Sequence, residues 1–201
     1  MSQNIKLSKL LSWLLRHGLV QEGIPIESDG YVKLYDVLSH SKFLKYKLRD
    51  IQQVVSENEK KRFSLIKRGE HYFIRANQGH SLEVGEKLKE DELLTPLLTP
   101  LPLVVHGTTQ SNYEKIRESG LKKMNRTHIH FAISDDFISG NKQQSGIRSN
   151  CQVLIYLDME KALLDGIKFF LSENKVVLSP GVGEEGVILP KYFKKVVKID
   201  I

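Results

Sequence analysis

The side chains able to do chemistry in this sequence are arginines and histidines, and they fall into a few short segments. Arg16 and His17 are adjacent and precede Gly18. Arg75 opens Arg75-Ala76-Asn77-Gln78-Gly79-His80-Ser81, and Arg148 lies in the turn-like Ser145-Gly146-Ile147-Arg148-Ser149-Asn150. In His128-Ile129-His130-Phe131-Ala132-Ile133 the period of two of a strand puts both imidazoles on one face and Ile129, Phe131 and Ile133 on the other. With His106 they make three candidate metal ligands, but no Asp, Glu or Cys completes a familiar zinc spacing, so no metal is expected. A polar ligand pocket and ordinary surface or core histidines are the other readings. Arg16-His17 also has a plain local explanation. Cations in the last turn of a helix gain about 0.3 to 1 kcal/mol from the macrodipole, and a following glycine is a usual stop.

The elements that carry these residues can be traced from apolar periodicity. Residues 5–18 form a predicted helix with Leu7, Leu10, Leu11 and Leu14 on a core-facing side, ending at Gly18. A turn at Ser28-Asp29-Gly30 leads to Tyr31-Val32, then to a short helix with Leu34, Val37 and Leu38 and a longer one with Leu48, Ile51, Val54 and Val55. Residues 63–66 and 71–75 read as a β-hairpin. Helices followed by a basic-tipped hairpin are the order of a winged helix-turn-helix, expected over residues 1–80. Residues 81–101 are expected to link two lobes, because Pro96, Pro100 and Pro102 interrupt any helix begun over 85–94.

Residues 102–201 read as a sheet-rich lobe, with strands at 103–106, 128–134, 152–158, 168–171, 175–178, 186–189 and 196–199 and helices at 112–119 and 159–164. The fold class is α+β, without the regular alternation of a doubly wound sheet. Neither a GxxxxGK[ST] loop nor a GxGxxG fingerprint is present, so a nucleotide would have to be held by another device. Glu184 and Glu185 fall in a glycine-rich turn rather than on a strand.

Apolar residues make up 40% of the 201 and charged residues 27%, ordinary values for a folded protein. The net charge of +6 is unevenly spread: residues 1–80 hold 14 Lys or Arg against 8 Asp or Glu, and the remainder is balanced. A polyanion-binding first lobe beside a neutral second lobe is one reading, a solvated basic surface the other. The single cysteine, Cys151, excludes an intramolecular disulfide and points to a reducing compartment. With no apolar run near the ~20 residues of a membrane span, a cytoplasmic protein without membrane contact is expected.

Six segments in one order along the chain carry a family resemblance: Leu14-Leu15-Arg16-His17, residues 74–81, His106-Gly107-Thr108, His128-Ile129-His130-Phe131-Ala132, Gly146-Ile147-Arg148 and residues 186–193. Together they resemble the RNA 2′-phosphotransferase family known from tRNA splicing. The resemblance implies a winged-helix lobe followed by an ADP-ribosyltransferase-like lobe that binds NAD. It also implies the reaction. An internal RNA 2′-phosphate attacks the nicotinamide-bearing ribose carbon of NAD and nicotinamide leaves. The adjacent ribose hydroxyl then attacks that phosphorus, giving 2′-hydroxyl RNA and ADP-ribose 1″,2″-cyclic phosphate.

On that implication Arg16, Arg75 and Arg148 hold the 2′-phosphate through bidentate guanidinium contacts, and His17 moves a proton in the second step. The four are expected to converge across the two lobes over the mouth of the NAD pocket. The resemblance further implies NAD binding by His106, Gly107 and Thr108, with Gly107 allowing close backbone approach. Gly120, Leu121 and His130 are expected to contribute to the same pocket. RNA bearing an internal 2′-phosphate, with spliced tRNA as a candidate, is the expected partner of a monomeric enzyme. Two alternatives stay open from sequence: an ADP-ribosyltransferase capping terminal phosphates of RNA or DNA, and a non-catalytic winged-helix nucleic-acid-binding protein.

Overall fold

The computed structural model describes residues 3–134, 146–147 and 150–199. The chain forms two compact units, Met1–Leu93 and Leu94–Ile201, each with its own core.

In the first unit α1 (Gln3–Trp13) runs into a π turn (Leu14–Gly18), followed by β1 (Val32–Lys33), α2 (Leu34–Ser39), a 3-10 turn (Ser41–Phe43) and α3 (Leu48–Ser56). The hairpin β2 (Phe63–Arg68) and β3 (His71–Ala76) comes next, then two short helices, α4 (Leu82–Gly85) and α5 (Glu90–Leu93). α3 begins where the Lys47 N–H donates to the Asp50 carboxylate at 2.7 Å, which satisfies an orphan donor at the helix start. The antiparallel sheet has the order β1-β3-β2, with Val32 opposite Ile74 and Phe63 opposite Ala76. Leu7, Leu11, Leu14, Val37, Ile51, Phe63 and Ile74 meet in one core.

The helix expected over 5–18 is corrected at its end. α-Helical pairing stops at Trp13, and the next five residues form the π turn. Gly18 does not stop the helix in a left-handed conformation, for Leu19 beyond it is still helical at φ −56°. It is glycine because a Cβ there would sit 3.0 Å from the Trp13 ring. The left-handed turn falls later, at Gly23 with φ 66°.

The second unit contains β4 (Thr95–Pro96), β5 (Val105–Thr108), α6 (Gln110–Ser119), β6 (Leu121–Lys122), β7 (Ile129–Phe131), β8 (Val153–Leu157), α7 (Met159–Leu164), β9 (Phe170–Leu171), β10 (Val177–Ser179), β11 (Val187–Ile188), a 3-10 turn (Pro190–Tyr192) and β12 (Phe193–Lys198). Its described pairings are antiparallel, in sheets ordered β4-β9-β10-β7, β12-β8-β5 and β11-β6. β8 is buried along its whole length. Val153, Ile155 and Leu157 enter the larger core and Leu154 and Tyr156 a smaller one with Val105, Ala132, Ile147 and Cys151.

Residues 81–101 are shared between the units. α4 and α5 belong to the first, whereas Thr95 and Pro96 pair with β9 in the second. Proline is tolerated there because β4 is an edge strand with no outer ladder to supply. No described helix is long and apolar enough to cross a membrane.

Candidate active site

In the first unit the π turn carries Arg16 and His17. A π turn adds one residue to a helical turn, and such turns recur at functional sites. Here Leu14, Leu15, Gly18 and Leu19 are buried together, and Arg16 and His17 between them are partly buried. The turn packs against β3 and α4 and is fastened there, since the Ser81 N–H donates to the Arg16 carbonyl at 2.9 Å. Gly79 completes the seat. With φ 88° it occupies the left-handed region, and a Cβ at that position would lie 3.3 Å from Arg16 Nε and 3.4 Å from its Cζ. The arginine side chain thus lies in the space that glycine leaves open.

Arg75, on β3, is held by residues far away in sequence. Its Nη1 donates to the Asp29 carbonyl at 2.9 Å, and its guanidinium carbon lies 4.5 Å from the centre of the Tyr31 ring. The same ring carries Arg68 at 4.9 Å, and Arg68 donates to the Asp29 carboxylate at 2.7 Å and to Glu27. These two carboxylates, Asp29 first, hold the Arg68 guanidinium above its ordinary pKa. Asp29, Tyr31 and Arg68 thus hold the candidate residue Arg75, and no local signal in the sequence marks them.

Gln78 is likewise not singled out by its local sequence. It is 9% exposed, and among the described residues its Oε1 is buried with no hydrogen-bond partner, immediately before the glycine that seats Arg16. Asn77, by contrast, is fully engaged: its Nδ2 donates to the Lys61 carbonyl at 2.8 Å, and its Oδ1 accepts from Ser64 at 2.7 Å. A buried acceptor without a partner costs about 1 to 3 kcal/mol. Gln78→Leu should leave the melting temperature unchanged or raised while RNA turnover drops roughly tenfold, the worth of one hydrogen bond to substrate. Unaltered turnover would make Gln78 a packing residue.

In the second unit His106 and His130 are joined. A two-residue bridge between Val105 and Ala132 places β5 beside the end of β7, and His106 Nδ1–H donates to the His130 carbonyl at 2.8 Å. Because a carbonyl can only accept, this bond fixes a proton on Nδ1. The His106 ring also stands edge-on to Phe131, 5.9 Å between centres. Along β7 the expected alternation holds for buried Ile129 and Phe131 and half-buried His128 and His130. It fails at Ile133, which is exposed because Ala132 leaves the ladder to pair with Val105.

Other predicted site residues are placed by packing. A Cβ on Gly107 would lie 2.7 Å from Ile147 Cγ2 and 2.9 Å from Cys151 Sγ, so the space beside this glycine is filled by the core. Cys151 is itself a core residue whose thiol burial pushes up. Thr108 is 8% exposed. Gly120 caps α6 at φ 85°, with the Ile188 carbonyl 2.5 Å from where a Cβ would be, and Leu121 is 2% exposed within the larger core. Only backbone atoms of this pair are available to a ligand. Glu184 and Glu185 do lie in a turn. Glu185 pairs with Lys122 at 2.6 Å on the surface, a bond that holds its carboxyl below the ordinary range. Among the described residues no group of three or more His, Cys, Asp and Glu gathers as a metal site would require. Arg148 lies outside the described residues.

The comparisons with known proteins agree on one family. The model of the RNA 2′-phosphotransferase, Tpt1/KptA family matches residues 2–181. The chain is similar to tRNA 2′-phosphotransferase 1 of Mus musculus, 45% identical over 98% of this chain and 78% of the mouse protein. It is likewise similar to tRNA 2′-phosphotransferase 1 of Danio rerio, 40% identical over 96% of this chain and 85% of that protein. The tRNA 2′-phosphotransferase of Saccharomyces cerevisiae is 36% identical over 91% and 81% respectively. With nearly the whole chain matched, and with Arg16, Arg75 and His106 all inside the matched span, the protein belongs to the RNA 2′-phosphotransferase family.

Proposed function

We propose that this protein is an NAD-dependent RNA 2′-phosphotransferase that removes an internal 2′-phosphate, with tRNA, the substrate in its relatives' names, as the first RNA to test. The observation that carries the reading is the π turn. It carries an arginine and a histidine on consecutive residues of a short segment held against Gly79 and Ser81, residue types that suit phosphate binding combined with proton transfer. The first unit, in which α1, α2 and α3 precede the β2-β3 hairpin with Lys67 and Arg68 near its tip, is read as a winged-helix RNA lobe. The second is read as an ADP-ribosyltransferase-like lobe.

The residues fit NAD as co-substrate. His106, whose Nδ1–H is directed to the His130 carbonyl, forms the proposed pocket with Thr108, His130 and the backbone of Gly107, Gly120 and Leu121. NAD supplies an electrophilic ribose carbon whose bond to nicotinamide breaks as the RNA phosphate oxygen bonds to it. A phosphate dianion needs no base for this, only positioning, and Arg16, Arg75 and Arg148 provide it while offsetting repulsion between two anions. His17 then handles the proton that the departing RNA 2′-oxygen requires.

Incubation with NAD and a 2′-phosphorylated oligonucleotide should release nicotinamide in step with 2′-hydroxyl RNA. No nicotinamide would sink the NAD reading, and ADP-ribose left permanently on the RNA would indicate capping instead. Arg16→Lys keeps the charge but loses the planar fork, so turnover should fall on the order of 10²-fold with the fold intact. Full activity of this variant would remove Arg16 from phosphate binding.

A further inference from the structure

The basic excess of the first unit is not spread evenly over its surface. Lys42 faces Glu22 at 3.0 Å, Arg68 faces Asp29 at 2.7 Å, and Lys89 faces Glu92 at 3.1 Å. Lys60-Lys61-Arg62 is a contiguous basic run in which Lys61 and Arg62 differ from these. These three consecutive cations occupy the turn between α3 and β2, and among the described residues neither Lys61 nor Arg62 pairs with a carboxylate. Burial lowers the pKa of Lys60 and of Arg62, and the charge of Arg62 adds to the effect on Lys60. Like charges crowded and partly dehydrated are unfavourable unless an anion joins them.

The turn is also rigidly built and tied to the site. Lys61 has φ 42°, a left-handed conformation uncommon outside glycine. It persists because the Lys61 N–H donates to the Asn58 carbonyl at 2.8 Å and Asn77 Nδ2 donates to the Lys61 carbonyl at 2.8 Å. The Asn77 N–H donates to the Arg62 carbonyl at 2.9 Å, and the Arg62 N–H donates to Asn58 Oδ1 at 3.1 Å. Asn77 lies one residue before Gln78 and two before Gly79, the seat of Arg16. One buried side chain, Asn77, therefore ties the basic turn to the segment that leads into the seat of Arg16.

We infer that Lys60-Lys61-Arg62 is a second RNA contact, which binds phosphodiester groups flanking the 2′-phosphorylated nucleotide. The inference rests on the phosphotransferase reading for the identity of that nucleotide. Its charge is placed to hold a chain of phosphates rather than the reacting one, so it serves long RNA and adds little for a minimal substrate.

The test uses the full chain with Lys61→Asn and Arg62→Gln combined, because asparagine tolerates the left-handed backbone and glutamine keeps an amide donor toward Asn58. Fluorescence anisotropy with single-stranded RNA lacking a 2′-phosphate, without NAD, should show roughly tenfold weaker binding and a log-log salt slope shallower by about 0.7 per phosphate lost. The kcat/KM ratio of a long 2′-phosphorylated RNA to a 2′-phosphorylated dinucleotide should fall by a similar factor. Lys33→Gln with Arg49→Gln removes equal charge elsewhere on the unit and should keep the wild-type ratio. Should the first double variant not fold, Lys61→Glu on an exposed side chain reads the same quantities. Wild-type affinity and slope in the variant, or equal loss in the charge-matched control, would overturn the inference. Weaker RNA binding together with no wild-type turnover would sink the enzymatic reading and leave this contact standing.

Discussion

Replacing His17 with alanine is expected to slow 2′-phosphate removal by about 10² to 10⁴-fold, the usual worth of a positioned acid or base, and to leave ADP-ribosylated RNA as the accumulating species. The two steps differ in their need for a proton. A phosphate dianion attacks carbon without losing one, whereas an RNA 2′-oxygen leaving phosphorus must gain one or be stabilised as an alkoxide. His17 is partly buried on the π turn and lies outside the apolar core, so the melting temperature should barely change. Single-turnover kinetics resolve the two rates. Equal loss in both would contradict the division of labour between His17 and the arginines.

The other large effect is expected at Gly107, and it is structural. A methyl group there meets Ile147 at 2.7 Å and Cys151 at 2.9 Å, inside the small core that also holds Val105 and Leu154. Overpacking of this kind costs about 1 to 3 kcal/mol. Gly107→Ala should lower thermal stability without any ligand present. Gly107→Ala combined with Ile147→Ala should cost less than the sum of the two single changes, because the second makes room for the first. If Gly107→Ala instead left stability intact and weakened only NAD binding, the glycine would be there for the ligand.

Gly107 illustrates what could and could not be read ahead of the structure. Its segment was marked as important from motif order, but the neighbours that explain it lie some forty positions onward, at Ile147 and Cys151, beyond the reach of any local pattern. The hairpin, α3 and α7 were legible because period-two and helical apolar spacings are local properties, and α7 falls at the residues expected. The π turn was not. Adjacent Leu14 and Leu15 continue an apolar helical face smoothly, and a one-residue widening leaves no compositional trace. Arg75 reads from the sequence as an arginine at the end of a strand, whereas its anchors at Asp29 and Tyr31 are tertiary facts, set by the antiparallel pairing of β1 with β3. Gln78 is not legible in the sequence, because a glutamine after a strand is ordinary until its burial is known.

The central claim is that Arg16 and His17 serve a phosphate-transfer reaction that consumes NAD. Mass analysis of the products formed from NAD and a defined internally 2′-phosphorylated RNA tests it most directly. The expected outcome is RNA lighter by one phosphate, together with nicotinamide and an ADP-ribose cyclic phosphate in equal amounts. RNA of unchanged mass, or a 2′-phosphate released as free inorganic phosphate without consumption of NAD, would contradict it.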